Sequence, residues 1–414
     1  FALARAKPEW AGHRESAPAA RPGAPDARPL PSKSFDLVVI GGGVTGVSAA
    51  LYAARAGASV LCIERGRLNG EASGGNAGSL HLQLLSWDFG SKAFADGSAA
   101  LRTLPLQAES IALWHDLEAE LGADFEMRVT GGLMVAEDEA QRVFLERKAE
   151  AEARVGIETH VIGREEIARI APAVSPLMAA AAWCPGEGKI NPLPATMALV
   201  DAARAAGAAF SERTPVSHIE EDGCGYRIET SRGALKAARV VLAAGGWSAQ
   251  LAAMLGAQVP VKGAPLQMVV TETAPPLVPC LLAHADRHLT MKQTDAGTLL
   301  IGGAWTADVG ADGQPIVLPD SLEGNLWVAA RTVPAVAGLH ITRSWAAMNI
   351  DVDGAPLLSH LPGHERVVIA ATANGYTLGP LMGREAAAAA LTGQLRTDLH
   401  PFTLDRFSKE HIAA

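Results

Sequence analysis

Four cysteines, Cys62, Cys184, Cys224 and Cys280, are all that the 414 residues contain, and they stand 122, 40 and 56 positions apart. That spacing forms no CxxC pair and no Cys/His cluster, so the ligand pattern of a zinc or iron–sulfur centre is missing. Isolated thiols of this kind are expected to be buried in a reducing compartment. No run approaches the eighteen or more apolar residues of a membrane-spanning helix, and the start lacks the apolar core of a secretory signal. Basic charge is scarce as well, with 35 Lys and Arg against 44 Asp and Glu, a net charge of −9. Such a chain has no field to draw in a polyanion. These absences together predict a soluble cytoplasmic protein with no membrane span and no nucleic-acid partner.

What is present suits a large packed core, since 49% of the residues are hydrophobic and the length allows two domains. Residues 1–34 differ from the rest. They carry six prolines, six Lys or Arg and three Asp or Glu, and read as a basic, extended tail or linker.

The stretch from Phe35 to Arg65 has the pattern of a βαβ dinucleotide-binding unit. Leu37 to Ile40 form a short apolar run, as in a parallel strand covered on both faces. Gly41, Gly43 and Gly46 follow at GxGxxG spacing, which allows a tight turn, close approach of backbone to a pyrophosphate, and close helix packing in turn. Val44 to Ala56 read as the helix whose amides would meet the phosphates, and Ser59 to Ile63 as the returning strand. Glu64 stands at its tip, where an acid binds a ribose hydroxyl.

Further on, a loop rich in glycine and small polar residues, GRLNGEASGGNAGSLHLQLL, suits backbone lying against a flat ligand. Helices are expected at Pro105 to Leu121, Glu137 to Val155 and Pro192 to Ala206, the last with Asn191 as N-cap. Val216 to Glu220 and Tyr226 to Thr230 read as a hairpin. The run Arg239 to Ala244 repeats the buried-strand pattern before Gly245, Gly246 and Trp247. Strand-like runs dominate Pro265 to Ala304, and Val367 to Ala371 supplies one more buried strand ahead of a long final helix. Asp351 and Asp353 precede Gly354 and read as a solvated turn.

The GGGVTG turn with Glu64, the EASGGNAGSLH loop, the VVLAAGGWS strand end and the VVIAATANGYTLGP stretch together resemble the FAD-dependent D-amino acid oxidase and dehydrogenase superfamily. Within it the chain is most similar to the catalytic small subunits of multi-subunit amine dehydrogenases, of the opine oxidase, hydroxyproline dehydrogenase and hydrogen cyanide synthase kind. The resemblance implies an α/β fold, α+β overall. A Rossmann-like FAD-binding domain (35–105, 190–260 and 340–396) would be interleaved with a substrate domain (106–189 and 261–339) built on a mainly antiparallel sheet.

It also implies non-covalent FAD. Gly41, Gly43, Val44, Thr45 and Gly46 would hold the pyrophosphate, with Glu64 and Arg65 at the adenosine ribose. Ala72, Ser73, Asn76, Ala77 and Gly78 would run beside the isoalloxazine. Val216 would meet the adenine, and Ala244, Gly245 and Trp247 would form a second contact. Gly375, Tyr376, Thr377 and Leu378 would present helix amides to the flavin N1 and O2 edge, where charge accumulates on reduction. Two positions depart from the family: Asn349 stands near the usual carboxylate-binding arginine, and Asn374 where relatives often carry histidine.

Hydride transfer from a C–N bond to flavin N5 needs a neutral amine held in place more than it needs acids and bases. Tyr376, His81 and Gln267 are the expected catalytic side chains. Gln83, His288, Lys292, Asn349 and Asn374 are the expected substrate contacts. The leading expectation is oxidation of an amino acid or secondary amine, opine-like or D-hydroxyproline/proline-like, to an imine that hydrolyses. The chain would act beside a second subunit carrying an electron relay such as an iron–sulfur cluster. The alternative is a flavoprotein subunit that relays electrons or supports an assembly without performing the chemistry.

Overall fold

A computed structural model describes Leu30 and residues 33–93 and 97–407. Nearly all of the proline-rich 1–34 stretch therefore lies outside the described residues, and Ser34 already opens the first strand. Two eight-stranded sheets organise the remainder.

The first sheet has a parallel centre in the order His364–Ala371, Gly233–Leu242, Ser34–Ile40, Val60–Ile63 and Ala209–Ser211. Leu357–Leu361 adds an antiparallel edge. The expected hairpin forms from Val216–Asp222 and Gly225–Thr230 and pairs with the outer half of Gly233–Leu242. Leu37, Val38 and Val39 have no exposed surface, because helices cover one face of the sheet and an apolar cluster around Leu251 and Leu357 covers the other. That double burial is why these strands read as continuous apolar runs.

Helix Val44–Arg55 packs along the final helix, Gly375–Thr392, through two glycines. A methyl group on Gly379 would stand 2.5 Å from Val44 Cγ1, and one on Gly383 only 2.4 Å from the Thr45 carbonyl oxygen. Pro380 lies inside the final helix and cannot donate to the carbonyl of Tyr376. The indole of Trp114 donates to that carbonyl instead, at 3.0 Å.

The second sheet runs Ile341–Asp351, Lys262–Thr273, Thr298–Gly302, Thr290–Gln293, Leu281–His284, Gly132–Ala136, Ala180–Cys184 and His160–Gly163. Every neighbouring pair is antiparallel except Leu281–His284 with Gly132–Ala136. The 340–396 segment expected in the first domain is thus divided, because its opening strand pairs with Lys262–Thr273 along almost its whole length. Helix Pro319–Thr332 covers one face of this sheet through Val328 and Ala329. The other face looks toward the loop at residues 72–78.

Two helices differ in detail from expectation. Ser98–Leu121 begins seven residues before Pro105, which sits in its interior, and Glu139–Arg154 starts on Asp138, whose carboxylate caps the Gln141 amide. Pro192–Ala205 starts on Asn191 as expected, with the side chain accepting from Leu193. Asp353 is not a solvated turn residue, since Arg406 grips both its oxygens at 2.8 and 2.9 Å. No helix among the described residues is long and apolar enough to cross a membrane.

Candidate functional site

One cleft of about 340 Å³ opens at the carboxyl ends of the parallel strands, where ligands of doubly wound sheets bind. Its floor is the turn after Ser34–Ile40. Gly41 adopts φ of +118°, and a methyl group there would lie 2.3 Å from the Ala243 carbonyl oxygen. One on Gly46 would lie 1.9 Å from the Gly41 carbonyl oxygen. Only glycine lets these backbones approach so closely. Gly46 therefore shapes the turn without lining the cleft, whereas Gly41, Gly43, Val44 and Thr45 line it.

Glu64 and Arg65 line the adjoining wall. The Glu64 carboxylate accepts the amides of Gly42 and Gly66, each at 2.7 Å, and so pins the turn from beneath. Burial raises its pKa above the usual carboxylate range, opposed by those two amides. Arg65 lies over the ring of Trp247, with its guanidinium carbon 3.6 Å from the centroid, and also reaches Glu71 at 3.2 Å. All three residues line the cleft, as do Val216, Ala244 and Gly245.

The loop at 72–78 forms the next wall. Ala72, Ser73 and Asn76 line the cleft, and the Ser73 hydroxyl accepts the Val44 amide at 3.0 Å. Ala77 and Gly78 do not line it. A methyl group on Gly78 would come within 2.9 Å of Lys292 Nζ, so the loop is pressed against the second sheet at that point. The Trp345 indole fixes the same loop by donating to the Gly75 carbonyl at 2.8 Å.

The cleft is also bounded by Met348, Asn349 and Ile350 from the second sheet, by Ala371 and Thr372 at the end of strand His364–Ala371, and by Gly375 and Tyr376 of the final helix. Thr377 and Leu378 lie behind it. Leu378 is fully buried, and Thr377 Oγ1 accepts the His81 amide at 3.2 Å.

Several expected reactive side chains are placed differently. The Tyr376 side chain turns into the core, where its hydroxyl donates to the Pro192 carbonyl at 3.1 Å and meets Thr196 Oγ1 at 3.0 Å. Its ring stacks on Trp114, and burial pushes the phenol pKa well up, so it is not poised for proton transfer. Gln267 lies on the face of the second sheet covered by helix Pro319–Thr332 and accepts the Leu318 amide at 3.0 Å, away from the cleft. The alternation of a strand decides this, since its neighbour Met268 packs over Gly302 on the opposite face.

Gln83 and His81 belong to a buried polar chain. His81 Nδ1 lies 3.4 Å from Glu187, Gln83 donates to Glu187 at 2.9 Å, and Lys148 bridges Gln83 and Glu152 at 2.9 and 2.6 Å. Gln83 is thereby held inside the protein and offers nothing to a substrate. His288 is exposed and sits between Trp87 and Trp305. Asn374 precedes the final helix without capping it, and its Oδ1 meets Thr377 Oγ1 at 3.5 Å. Neither lines the cleft.

Asn349 lines the cleft, whereas Lys292 lies behind the 72–78 loop without lining it. Lys292 is buried, donates to the Ile190 carbonyl at 3.0 Å, and has a pKa pushed down to about 7 by desolvation, with Lys189 adding to the effect. Sequence reasoning missed Gly42, Thr214, Glu71, Gln250 and Thr372, all of which line the cleft. A signal existed for Thr372, which directly follows a buried parallel strand.

The residues fit a dinucleotide cofactor. The Gly41–Gly46 turn leaves room for backbone approach, an acid stands at the strand tip, and Thr372 presents a buried hydroxyl with no partner. Among the described residues no cysteine or histidine lines the cleft.

These features define a flavin-dependent oxidoreductase, and the chain belongs to the FAD dependent oxidoreductase family (DAO), whose model matches residues 36–389. It is 28% identical to an opine oxidase subunit of Agrobacterium tumefaciens (strain Ach5), covering 90% of this chain and 97% of that protein. It is also 28% identical to the hydrogen cyanide synthase subunit HcnC of Pseudomonas aeruginosa, covering 92% and 98%. The crystal structure of glycine oxidase from Geobacillus kaustophilus superposes with a TM-score of 0.78 at 26% identity, covering 90% of this chain and 99% of that one. The protein is an FAD-dependent enzyme of the group that oxidises amino acids and amines.

Proposed function

We propose that the chain oxidises the carbon–nitrogen bond of a secondary amine or amino acid of the opine or D-hydroxyproline/proline type, as the catalytic subunit of a hetero-oligomeric dehydrogenase. Bound FAD, held without a covalent link, supplies the hydride acceptor, and the imine product is left for water to hydrolyse. The observation that carries this reading is the junction of the two sheets at the inner end of the cleft. There Asn349 of the second sheet lines the same cleft as Thr372 and Gly375, which end the last strand of the first sheet and begin the final helix. A site lined from both sheets would shelter a reacting C–H from bulk water, with the Asn349 amide as a neutral group to orient the substrate. Full-length similarity to the Agrobacterium opine oxidase chain supports the substrate class.

The subunit role is supported by the names of relatives that are themselves subunits. No group of metal-ligating side chains exists among the described residues, so electrons leaving the cofactor go to oxygen or to a partner that carries a relay, such as an iron–sulfur protein. Anaerobic mixing with opines, D-amino acids, prolines and sarcosine tests the chemistry. Bleaching by a secondary amine with flanking carboxylates is the expected result. Bleaching by none of them would favour a relay subunit without its own substrate. Fast turnover of the isolated chain with oxygen and stoichiometric peroxide would defeat the partner reading.

A further inference from the structure

Residues 79–84 follow directly on the 72–78 loop, and little regular structure holds them. Ser79–Leu80 forms a two-residue strand in a ladder with Gly188–Lys189. Beyond it, buried side chains from distant elements grip the backbone. Glu187, in the turn between Ala180–Cys184 and Gly188–Lys189, accepts the amides of Leu82 and Gln83 through Oε1 at 2.9 and 3.2 Å, and the Gln83 side chain through Oε2 at 2.9 Å. Helix Glu139–Arg154 supplies Glu152, which accepts the Leu84 amide at 2.7 Å, and Lys148, which donates to both Gln83 and Glu152. The final helix supplies Thr377, whose hydroxyl accepts from the His81 amide and donates to the Ser79 carbonyl. Gly132 leaves room for the arrangement, since a methyl group there would lie 1.9 Å from Glu187 Oε2.

Glu187 is 2% exposed, and Lys148 and Glu152 have no exposed surface. Taking such groups out of water is costly, and apolar residues of the same shape are often as stable. Burial pushes the Glu187 pKa up, but His81, Gln83 and Leu82 outweigh it and hold the carboxyl below the usual range. Stability alone therefore gives a poor account of this network, whereas position gives a direct one. The residues on either side of the gripped segment line the cleft: Ala72, Ser73 and Asn76 before it in the chain, and Gly375 and Tyr376 beside Thr377.

We propose that Glu187 is a positioning residue: by holding the backbone of residues 82 and 83 it sets the path of the 79–84 segment, and through it the placement of the cleft wall at residues 72–78. It acts through the backbone and does not line the cleft. The inference rests on the FAD dependence of the family and is independent of which amine is oxidised. A wall that wanders lowers the rate of a reaction that depends on orientation, while the Gly41–Gly46 turn is left intact to hold the cofactor.

Glu187→Leu removes every acceptor and keeps the volume, and Glu187→Gln keeps one oxygen for the two backbone amides. Val328→Ala is the control, a core truncation on the far face of the second sheet. Hydrogen exchange of the peptide spanning 79–84 is followed by mass spectrometry in apoprotein and holoprotein. FAD Kd is measured by fluorescence, and flavin reduction anaerobically with the fastest-bleaching amine of the panel above. The leucine variant should exchange that peptide about tenfold faster and reduce its flavin about ten- to a hundredfold more slowly, with the FAD Kd within about threefold of the wild type. Glutamine should recover most of both losses, and should leucine fail to fold, smaller changes of the same sign in glutamine carry the comparison. The control should lower the melting temperature and change neither readout. Wild-type exchange or wild-type reduction rate in the leucine variant would overturn the proposal. So would equal losses in Val328→Ala, which would make the effect one of stability, or a larger change in Kd, which would make it one of cofactor binding. If no amine reduces the wild type, the amine reading falls by itself, and the visible circular dichroism of bound FAD replaces the rate: altered in the leucine variant it supports the proposal, unaltered it overturns it.

Discussion

Arg65 and Trp247, 182 positions apart in sequence, stack face to face across the mouth of the cleft, with the guanidinium carbon 3.6 Å from the indole centroid. Glu71 holds the free side of Arg65 at 3.2 Å. The 65–71 stretch and Trp247 thus form one arch beside the cleft, where we propose that the adenosine of FAD sits. Arg65 is exposed, so the stack contributes about 0.5–1 kcal/mol. Arg65→Ala and Trp247→Ala should each speed FAD dissociation about two- to fivefold, read by the return of free-flavin fluorescence after dilution. Arg65→Lys should fall between them and the wild type, because an ammonium loses the planar stack. Equal off-rates in all four proteins would rule the arch out.

Glu64 has two duties that a pair of variants separates. Its carboxylate pins Gly42 and Gly66 and lines the cleft at the strand tip, where we propose that it meets the cofactor ribose. Glu64→Gln loses the charge and keeps one acceptor oxygen where two amides now meet two, whereas Glu64→Ala releases both amides. FAD affinity should fall in both, and by about 1.5–3 kcal/mol in the alanine variant. Alanine should lower the melting temperature of the apoprotein more than glutamine does, since it releases both amides and glutamine only one.

Lys292, buried behind the 72–78 loop, makes stability depend on pH. Its folded pKa of about 7 is well below that of an unfolded lysine. Between about pH 7 and 10 the unfolded chain therefore holds a proton that the folded chain does not. Stability should rise with pH across that window, by at most about 1.4 kcal/mol per unit from this group. Urea unfolding at pH 7, 8 and 9 should show a flatter dependence for Lys292→Met than for the wild type. Parallel slopes would show that the ammonium is solvated.

Lys148 and Glu152 are fully buried partners at 2.6 Å. Lys148→Met leaves Glu152 charged and uncompensated and should cost about 3–5 kcal/mol. Lys148→Met with Glu152→Gln should cost less than the single change, because the amide still accepts from Leu84 and carries no charge. Denaturant midpoints of the three proteins check the order.

Gly383 tests the helix contact behind the turn. Alanine there meets the backbone of Thr45, which cannot move aside as a flexible side chain would. A loss of about 1–3 kcal/mol is expected from overpacking. FAD affinity should weaken with it, since the displaced residue lines the cleft beside the glycine turn.

By itself the sequence determined the dinucleotide turn, the acid at the strand tip, the parallel strands and the strand-rich second region. These are local: glycine spacing sets a backbone path, and double burial leaves an apolar run within a few residues. Which side chains reach the cleft was decided only in three dimensions. Gln267 and Met268 are neighbours on one strand, and the pleat sends them to opposite faces. Tyr376 carries the sequence mark of a cofactor contact, yet its ring turns to Trp114 and Thr196, residues from two other helices that the sequence does not place beside it. Gln83 sits in a loop expected to meet ligand but is drawn inward by Glu187 and Lys148, which lie 104 and 65 positions away. Local pattern fixes the backbone, but the direction of a side chain follows from whichever distant element comes to rest against it, and that is a property of the packed chain.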